Sequence, residues 1–275
     1  MTIDNPYGID PPFCISFSGG RTSAFMLAKV IEAHGGKMPD GGYVVFANTG
    51  REHEGTLEFV RDCAMNFNID IDWVEYDQAA EKKFRVVDFA SASRDGRPFE
   101  ELIKSKQALP NFMRRFCTET LKVRTIAKYL NSIGVDEGTM VVGLRADEPR
   151  RVHRVQGDER EGFLYECPIS KAGHVLADVH AFWATMPWDL KLPNDDRAFG
   201  NCDMCFLKGK RILERVVRAE PERADWWARM EKERGRTWVH GRSVEQLLVQ
   251  VRVQPELFDK GDDDDETIIP CTCTD

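Results

Sequence analysis

The sequence predicts an α/β fold: a doubly wound, mostly parallel sheet followed by a C-terminal helical subdomain. Three observations carry this expectation. Short β-rich apolar runs alternate with amphipathic helical stretches up to about residue 145, a glycine turn joins the first strand to the first helix, and the later chain changes to loops and helices. Strands that alternate with helices pair in parallel through right-handed crossovers, which places helices on both faces of the sheet.

Phe13 to Phe17 reads as a short buried strand, Ser18-Gly19-Gly20 breaks it, and Ala24, Leu27, Ala28 and Ile31 recur at helical spacing. Tyr43 to Ala47 is the second strand, Thr56 to Phe67 the second helix and Ile69 to Tyr76 the third strand. Phe99 to Lys106 and Thr118 to Leu130 follow as helices, and Thr139 to Leu144 returns to the sheet. Asp178 is the expected N-cap of a helix through Trp183, Lys208 to Ala219 forms another, and Pro221 fits the first position of a third. The expected division is a nucleotide-binding α/β domain over 1–145, a helical, cysteine-containing subdomain over 146–258, and an acidic mobile tail over 259–275.

The 275 residues, 42% of them hydrophobic, suffice for one large or two small domains with a substantial core. No apolar run approaches the ~20 residues of a membrane span, and Met1 to Pro6 lacks the pattern of a secretory signal. The expectation is a cytoplasmic protein without a membrane partner. Five acids of the net −8 lie in Asp262 to Glu266, so the body is nearly neutral and charge alone selects no partner class. Eight cysteines are more informative, because a reducing compartment favours thiolates that bind metal or do redox chemistry.

Ser18-Gly19-Gly20-Arg21-Thr22-Ser23 sits between strand and helix. Glycines allow close backbone approach, while the helix N-terminus and two hydroxyls supply donors, so the turn predicts a phosphate cradle. It is neither a Walker loop nor a G-x-G-x-x-G fingerprint. Ser18, Gly19, Gly20 and Ser23 match the S-G-G-x-D-S pattern of the PP-loop, with Thr22 at the acidic position. Phe46-Ala47-Asn48-Thr49-Gly50, followed by Glu52 and Thr56, and Gly143-Leu144-Arg145-Ala146-Asp147-Glu148, followed by Arg150 and Arg151, supply two further matches. Cys117 with Lys122 supplies a fourth.

On these motifs the chain resembles the PP-loop, adenine nucleotide alpha hydrolase-like superfamily and, within it, the phosphoadenosine phosphosulfate (PAPS) reductase family, over residues 13 to 205. The resemblance implies an adenine nucleotide site built from Ser18, Gly19, Gly20, Arg21, Thr22, Ser23, Asn48, Thr49, Gly50, Gly143, Arg145, Arg150 and Arg151. Loops that follow parallel strands gather at one sheet edge, which agrees with that placement. Arginines offer bidentate forks to phosphate or sulfate, and Arg145 is a candidate catalytic residue. The substrate implied is ATP or a sulfonucleotide, with Mg2+ as a candidate companion and a thiol reductant or sulfur donor as partner.

Cys202-Asp203-Met204-Cys205 is a C-x-x-C at a turn into a helix, where amides face thiolates. The resemblance places Cys117 and Cys202/Cys205 in the cluster-binding regions of the family's iron–sulfur reductases. With Cys167 as the fourth ligand, this makes a 4Fe-4S cluster the first expectation, a three-cysteine cluster with an open iron its variant, and tetrahedral zinc the alternative. Cys14 and Cys63 read as core residues. Cys271 and Cys273 lie on the acidic tail, and the family's nucleophilic tail cysteine makes them candidate catalytic residues, although the E-C-G-x-H context is absent.

Arg150, Arg151, His153, Arg154 and Arg160, with Lys208, Lys210, Arg211, Arg215 and Arg218, form a candidate nucleic-acid track, or a solvated face balanced by acids. Three functions follow. The first is a PAPS reductase-like enzyme with iron–sulfur-assisted sulfur chemistry. The second is an ATP pyrophosphatase that adenylylates a nucleobase or other acceptor for sulfur transfer, and the third is a zinc-stapled, non-enzymatic nucleotide-binding module.

Overall fold

Phe13, Cys14, Ile15 and Phe17 are buried because β1 (Phe13–Phe17) is the middle strand of a seven-stranded sheet, with neighbours on both edges. The computed structural model describes residues 5–193, 197–238 and 241–253. After β1 come α1 (Arg21–Ala33), β2 (Gly42–Asn48), α2 (Glu54–Phe67), β3 (Asp72–Tyr76), β4 (Phe84–Val87) and α3 (Arg97–Lys106). A seven-residue π-helix, Thr118–Arg124, runs directly into α4 (Thr125–Ser132). Next are β5 (Gly138–Val141), α5 (Pro149–Val155), β6 (Glu159–Arg160), β7 (Phe163–Glu166), the single turn α6 (Pro168–Lys171) and α7 (Leu176–Trp183). Helices α8 (Lys210–Ala219), α9 (Pro221–Arg234) and α10 (Val244–Val253) complete the described chain.

The strand order is β4-β3-β2-β1-β5-β7-β6. β1 pairs in parallel with β2 on one side and β5 on the other, whereas β4 and β6 run antiparallel to β3 and β7. The order therefore reverses between β1 and β5, and crevices of open α/β sheets form at such a point. Both faces are covered. Phe25, Leu27, Leu57, Phe59 and Trp183 from α1, α2 and α7 fill one side, and Ile126, Leu130 and Val155 pack on Val45 and Met140 on the other. Each large side chain so buried contributes about 1.5–3 kcal/mol. A third cluster joins α3 to α8, α9 and α10 around Phe99, Trp227 and Trp238.

The doubly wound, mostly parallel sheet is as the sequence predicts, but the sheet does not end at residue 145. β7 pairs in parallel with β5 and β6 returns antiparallel, so the stretch expected to open a helical subdomain at 146 carries two strands. Four residues with Phe163 and Tyr165 inward and Leu164 outward are too short a pattern to separate from a loop. The helices α8 to α10, which share their core with α3, come later, beyond residue 209. Asp178 is not the N-cap of α7. It sits in the first turn and accepts a hydrogen bond from Val175 N at 2.8 Å. The tail over 259–275 lies outside the described residues, and no helix among those described is long and apolar enough to cross a membrane.

Glu100 of α3 ties the sheet to α9 through Arg229 at 2.9 Å and also accepts from Lys104 at 2.6 Å. The Arg229 hydrogen bond is the larger cause, and against the opposing effect of burial it holds the Glu100 carboxyl down at about 2, below the usual 4.5. A carboxylate lowered in the folded state adds stability that is complete above its unfolded value and is lost as pH falls through its folded value. Glu100→Gln should therefore flatten the acid side of the stability profile between about pH 4.5 and pH 2. Urea denaturation at stepped pH measures this, and a variant profile parallel to the parent refutes it.

Candidate functional site

The chain leaves β1 through Ser18 and enters α1 within three residues. Ser18 Oγ donates to Ser23 Oγ at 2.7 Å, Ser23 Oγ donates to Gly20 O at 2.9 Å, and Gly20 N donates to Ser18 Oγ at 3.3 Å. These bonds shape the turn from within. Gly19 has φ +77°, and a Cβ there would stand 2.7 Å from Thr56 Cγ2, so only glycine fits between the turn and α2. Gly20 begins α1 without a side-chain cap, and the first turn carries no acid. An uncapped helix start of this kind favours an anion.

The end of β5 meets the same turn. A Cβ on Gly143 would lie 3.2 Å from Ser23 Cα, which shows how closely the two strand ends approach. Arg145 donates through Nη1 to Thr22 Oγ1 at 3.2 Å and through Nε to Asp147 at 3.0 Å, and its backbone N donates to Glu148 at 3.1 Å. Glu148 also binds Arg151, and all three of Arg145, Glu148 and Arg151 are buried. Arg150 is exposed on α5. Arg21 forms a bidentate pair with Asp189, at 2.8 Å for both bonds, and so points along the chain that follows α7.

The end of β2 lies beside α2. Asn48 is fully buried, donating to Glu75 at 2.6 Å and Ser93 O at 2.9 Å while accepting from Gly50 N at 3.0 Å. Its side chain is used in holding the strand end. Thr49 donates both N, at 3.0 Å, and Oγ1, at 2.9 Å, to the buried Glu52. Thr49 Oγ1 also lies within hydrogen-bond distance of Cys202 Sγ, at 3.4 Å.

That contact opens onto a cavity of about 30 Å³ lined by Cys117, Cys202, Cys205, Lys122 and Thr49, with Trp238 at its wall. Burial first, and the nearby Glu52 carboxylate second, push the Cys202 thiol up to about 12, against the lowering effect of Lys122 and Thr49. Three of the four expected cluster ligands thus face one space. Cys167 does not join them: it is buried among Val155, Phe163 and Tyr165, where burial raises its thiol to about 12. Among the described residues no group of three His, Cys, Asp or Glu side chains stands as a ready-made metal site. Cys14 and Cys63 are core residues, and Cys271 and Cys273 lie outside the described residues.

Sequence reasoning missed the residues that join crevice to cavity. Arg51 pairs with Asp203, the first residue inside the C-x-x-C, and its guanidinium stands 4.8 Å from the centre of the Trp226 ring. Asp203 also accepts from Trp227 Nε1 at 2.7 Å. Position within the motifs was the only available signal, since Arg51 directly follows Asn48-Thr49-Gly50. The expected basic track is interrupted, because Arg151 is buried against Glu148, and buried Lys208 donates to Ala198 O and Asp203 O at 2.6 and 2.9 Å.

The sequence model of the phosphoadenosine phosphosulfate reductase domain matches residues 12–172. An uncharacterized nin region protein of Escherichia phage lambda is 29% identical over 207 residues, covering 72% of this chain and 67% of that protein. An uncharacterized protein of Methanocaldococcus jannaschii is 28% identical over 159 residues, 55% of this chain but 28% of the archaeal one. Among solved structures, a PAPS reductase from Candida auris in a phosphate complex aligns with 64% of this chain and 72% of its own, at 15% identity and TM-score 0.40. A tRNA thiolase, NcsA, from Methanococcus maripaludis with its 4Fe-4S cluster aligns with 90% of this chain and 72% of its own, at 10% identity and TM-score 0.39.

Two substitutions probe this geometry. Ser18→Ala removes the hydroxyl that holds the turn and should weaken adenine nucleotide binding about tenfold, or ~1.4 kcal/mol, by calorimetry; unchanged affinity refutes the cradle. Glu52→Gln keeps an acceptor for Thr49 but removes the charge facing Cys202, so iodoacetamide should alkylate Cys202 faster at pH 8. An unchanged rate would show that burial alone sets that thiol.

Proposed function

Because this chain belongs to the phosphoadenosine phosphosulfate reductase domain family, whose model covers residues 12–172, we propose that it is an enzyme that binds an adenine nucleotide at the β1–β5 crevice and does sulfur chemistry at the adjoining thiols. One observation carries the reading: Thr49, on the strand end beside the crevice, lies 3.4 Å from Cys202 in a cavity shared with Cys117 and Cys205. The uncapped start of α1 and the hydroxyls of Ser18, Thr22 and Ser23 receive the phosphate or sulfate of the nucleotide. Arg145, bonded to Thr22 of that turn, holds charge that develops on the transferred group. Asn48 acts through the backbone it positions, Gly19 and Gly143 by letting strand ends close on the ligand. Arg21 and Arg150 stand outside this set.

The donor set fits an iron–sulfur cluster in kind, since Cys117, Cys202 and Cys205 would hold it as soft thiolate ligands, with Lys122 beside them. When bound, such a cluster supplies electrons or, at an iron without a protein ligand, a place for sulfur; zinc on the same three thiols would supply Lewis acidity instead. The protein's own part is to keep the thiols beside the crevice and to shield them from water. Mg2+ would arrive with the nucleotide phosphates, because Asp147 and Glu148 already bond Arg145 and Arg151.

Two reactions use this arrangement. With a sulfonucleotide, a tail thiolate of Cys271 or Cys273 attacks the sulfonyl sulfur, the sulfur–oxygen bond to the nucleotide breaks, and an S-sulfonated cysteine and free nucleotide result. With ATP, an acceptor oxygen attacks the α-phosphorus and pyrophosphate leaves, activating the acceptor for sulfur transfer. The lack of an E-C-G-x-H context at Cys271 favours the second. Anaerobically purified protein incubated with a sulfonucleotide plus a dithiol reductant, which attacks the S-sulfonated cysteine to release sulfite, or with ATP plus an RNA acceptor, and scored for sulfite against pyrophosphate, decides between them. Unchanged nucleotide in both incubations would leave a binding module and refute the enzymatic reading.

A further inference from the structure

The segment between α3 and the π-helix carries an ordered, outward-facing tip that the nucleotide site does not use. Asn111 and Arg114 exchange backbone hydrogen bonds of 3.3 and 3.1 Å, and Asn111 Oδ1 accepts from the N atoms of Met113 and Arg114, each at 3.0 Å. The turn so fixed holds Phe112 and Met113 out in solvent, 59% and 78% exposed. Large apolar side chains held outward beside a candidate active site mark contact with something else. From Leu102 to Thr118 the chain has four cations, Lys104, Lys106, Arg114 and Arg115, and no acid.

Two grooves contain residues next to the tip. One, of about 350 Å³, is lined by Arg114, Arg236, Asn111 and Pro110 and contains no acidic residue. Neither Arg114 nor Arg236 has an acidic partner among the described residues, whereas most arginines of the chain do. The other groove, about 410 Å³, contains Arg115 and Thr118, and Thr118 also lines the thiol cavity with Cys117. The tip's chain thus runs from the Arg114–Arg236 groove through Arg115 to Thr118 at the thiol cavity.

We propose that this surface binds single-stranded nucleic acid, with a base stacked on Phe112 against Met113 and backbone phosphates held by Arg114 and Arg236. The chemistry selects the partner. An aromatic face and a thioether take a flat apolar ring, paired cations on a shared groove take spaced anions, and a single strand alternates the two. An acidic peptide supplies the anions without the rings. In the second groove Arg115 and Arg160 stand with Glu119 and Glu161, so it is balanced in charge, whereas the Arg114 side is cationic and takes the phosphates. The inference rests on the proposed reading only for its purpose: the strand is then the acceptor presented to the crevice.

The test uses the full chain and fluorescein-labelled 15-nucleotide strands, oligodeoxythymidine and oligouridine in separate arms, read by anisotropy across a salt series. Both should bind, and tighter binding of one identifies it as the natural source. Phe112→Ala should weaken binding at least fivefold at constant salt slope. Arg114→Gln should weaken it and lower the slope of log affinity against log salt by about 0.7. Met65→Ser, an exposed apolar change on α2, serves as the control and should leave binding unchanged. Absence of binding, equal binding of polyglutamate, or indifference to both tip variants overturns the proposal. ATP affinity measured on the same variants should not change, so loss of strand binding with intact ATP binding separates this proposal from the nucleotide site.

Discussion

Asp203 holds the two chemical halves of the molecule together. It sits inside the C-x-x-C, is 2% exposed, and takes Arg51, Trp227 Nε1 and Met204 N as donors, while its own N donates to Arg51 O at 3.0 Å. Arg51 belongs to the strand end after β2, and Arg223 of α9 reaches both Asp203 and Glu52 O at 3.4 Å. A buried pair of this kind earns little net stability over apolar packing, but removing one partner strands a charge, at a cost of about 3–5 kcal/mol. Its effect is geometric: the bonds of Asp203 to Arg51 fix the C-x-x-C against the strand end after β2. The contact between Thr49 and Cys202 follows from that registration.

The same logic shapes the crevice. Arg145 is buried and already bonded to Thr22 and Asp147, with Glu148 at 3.6 Å. In a weakly screened interior such a network fixes the guanidinium in advance, so an arriving phosphate meets an oriented donor with little side-chain entropy left to lose. It must also compete with Asp147, whose 39% exposed side chain is the member able to swing away into water. Glu148 cannot do so, because Arg151 holds its other oxygen from a buried position. A position that carries an acid in the PP-loop pattern is Thr22 here, and it accepts from Arg145 rather than repelling a phosphate.

Much of this was legible in the residues. Alternating runs located β1, β2, β3 and their helices to within a few positions, since each carries a long enough apolar pattern to bury one face. The glycine turn and the strand ends at Asn48 and Gly143 were legible as a set, because parallel strands bring their following loops to one edge. Short strands without an apolar run were not: β6 has two residues, and β4 and β7 mix exposed with partly or fully buried positions over four, whereas the four-residue β5 lies in the apolar run Thr139 to Leu144. Individual side-chain roles were harder still. Arg21 faces Asp189, and Asn48 is consumed by Glu75 and Ser93, partners 168 and 27 to 45 residues away that no local pattern announces. Cys167 stood in the sequence as the fourth candidate ligand beside Cys117, Cys202 and Cys205, and the pairing of β7 with β5 buries it among Val155, Phe163 and Tyr165, apart from the thiol cavity.

The π-helix over Thr118–Arg124 explains why Cys117 and Lys122 reach one cavity. In an α-helix residues five apart stand about 140° from each other around the axis, so one of the two would turn away from the thiols. Bonding from each residue to the fifth along widens the turn and brings positions five apart onto one side. Thr125 Oγ1 bonded to Thr120 O at 2.8 Å follows the same spacing. Leu121, fully buried in one cluster with Phe99, anchors the element, and Thr118, Leu121 and Lys122 all border the cavity. The sequence reads as one amphipathic α-helix because that leucine and the residues of α4 keep the usual period. A less regular hydrogen-bond ladder persists when packing over-determines it, and here the wider turn is what places a lysine ammonium beside three thiols.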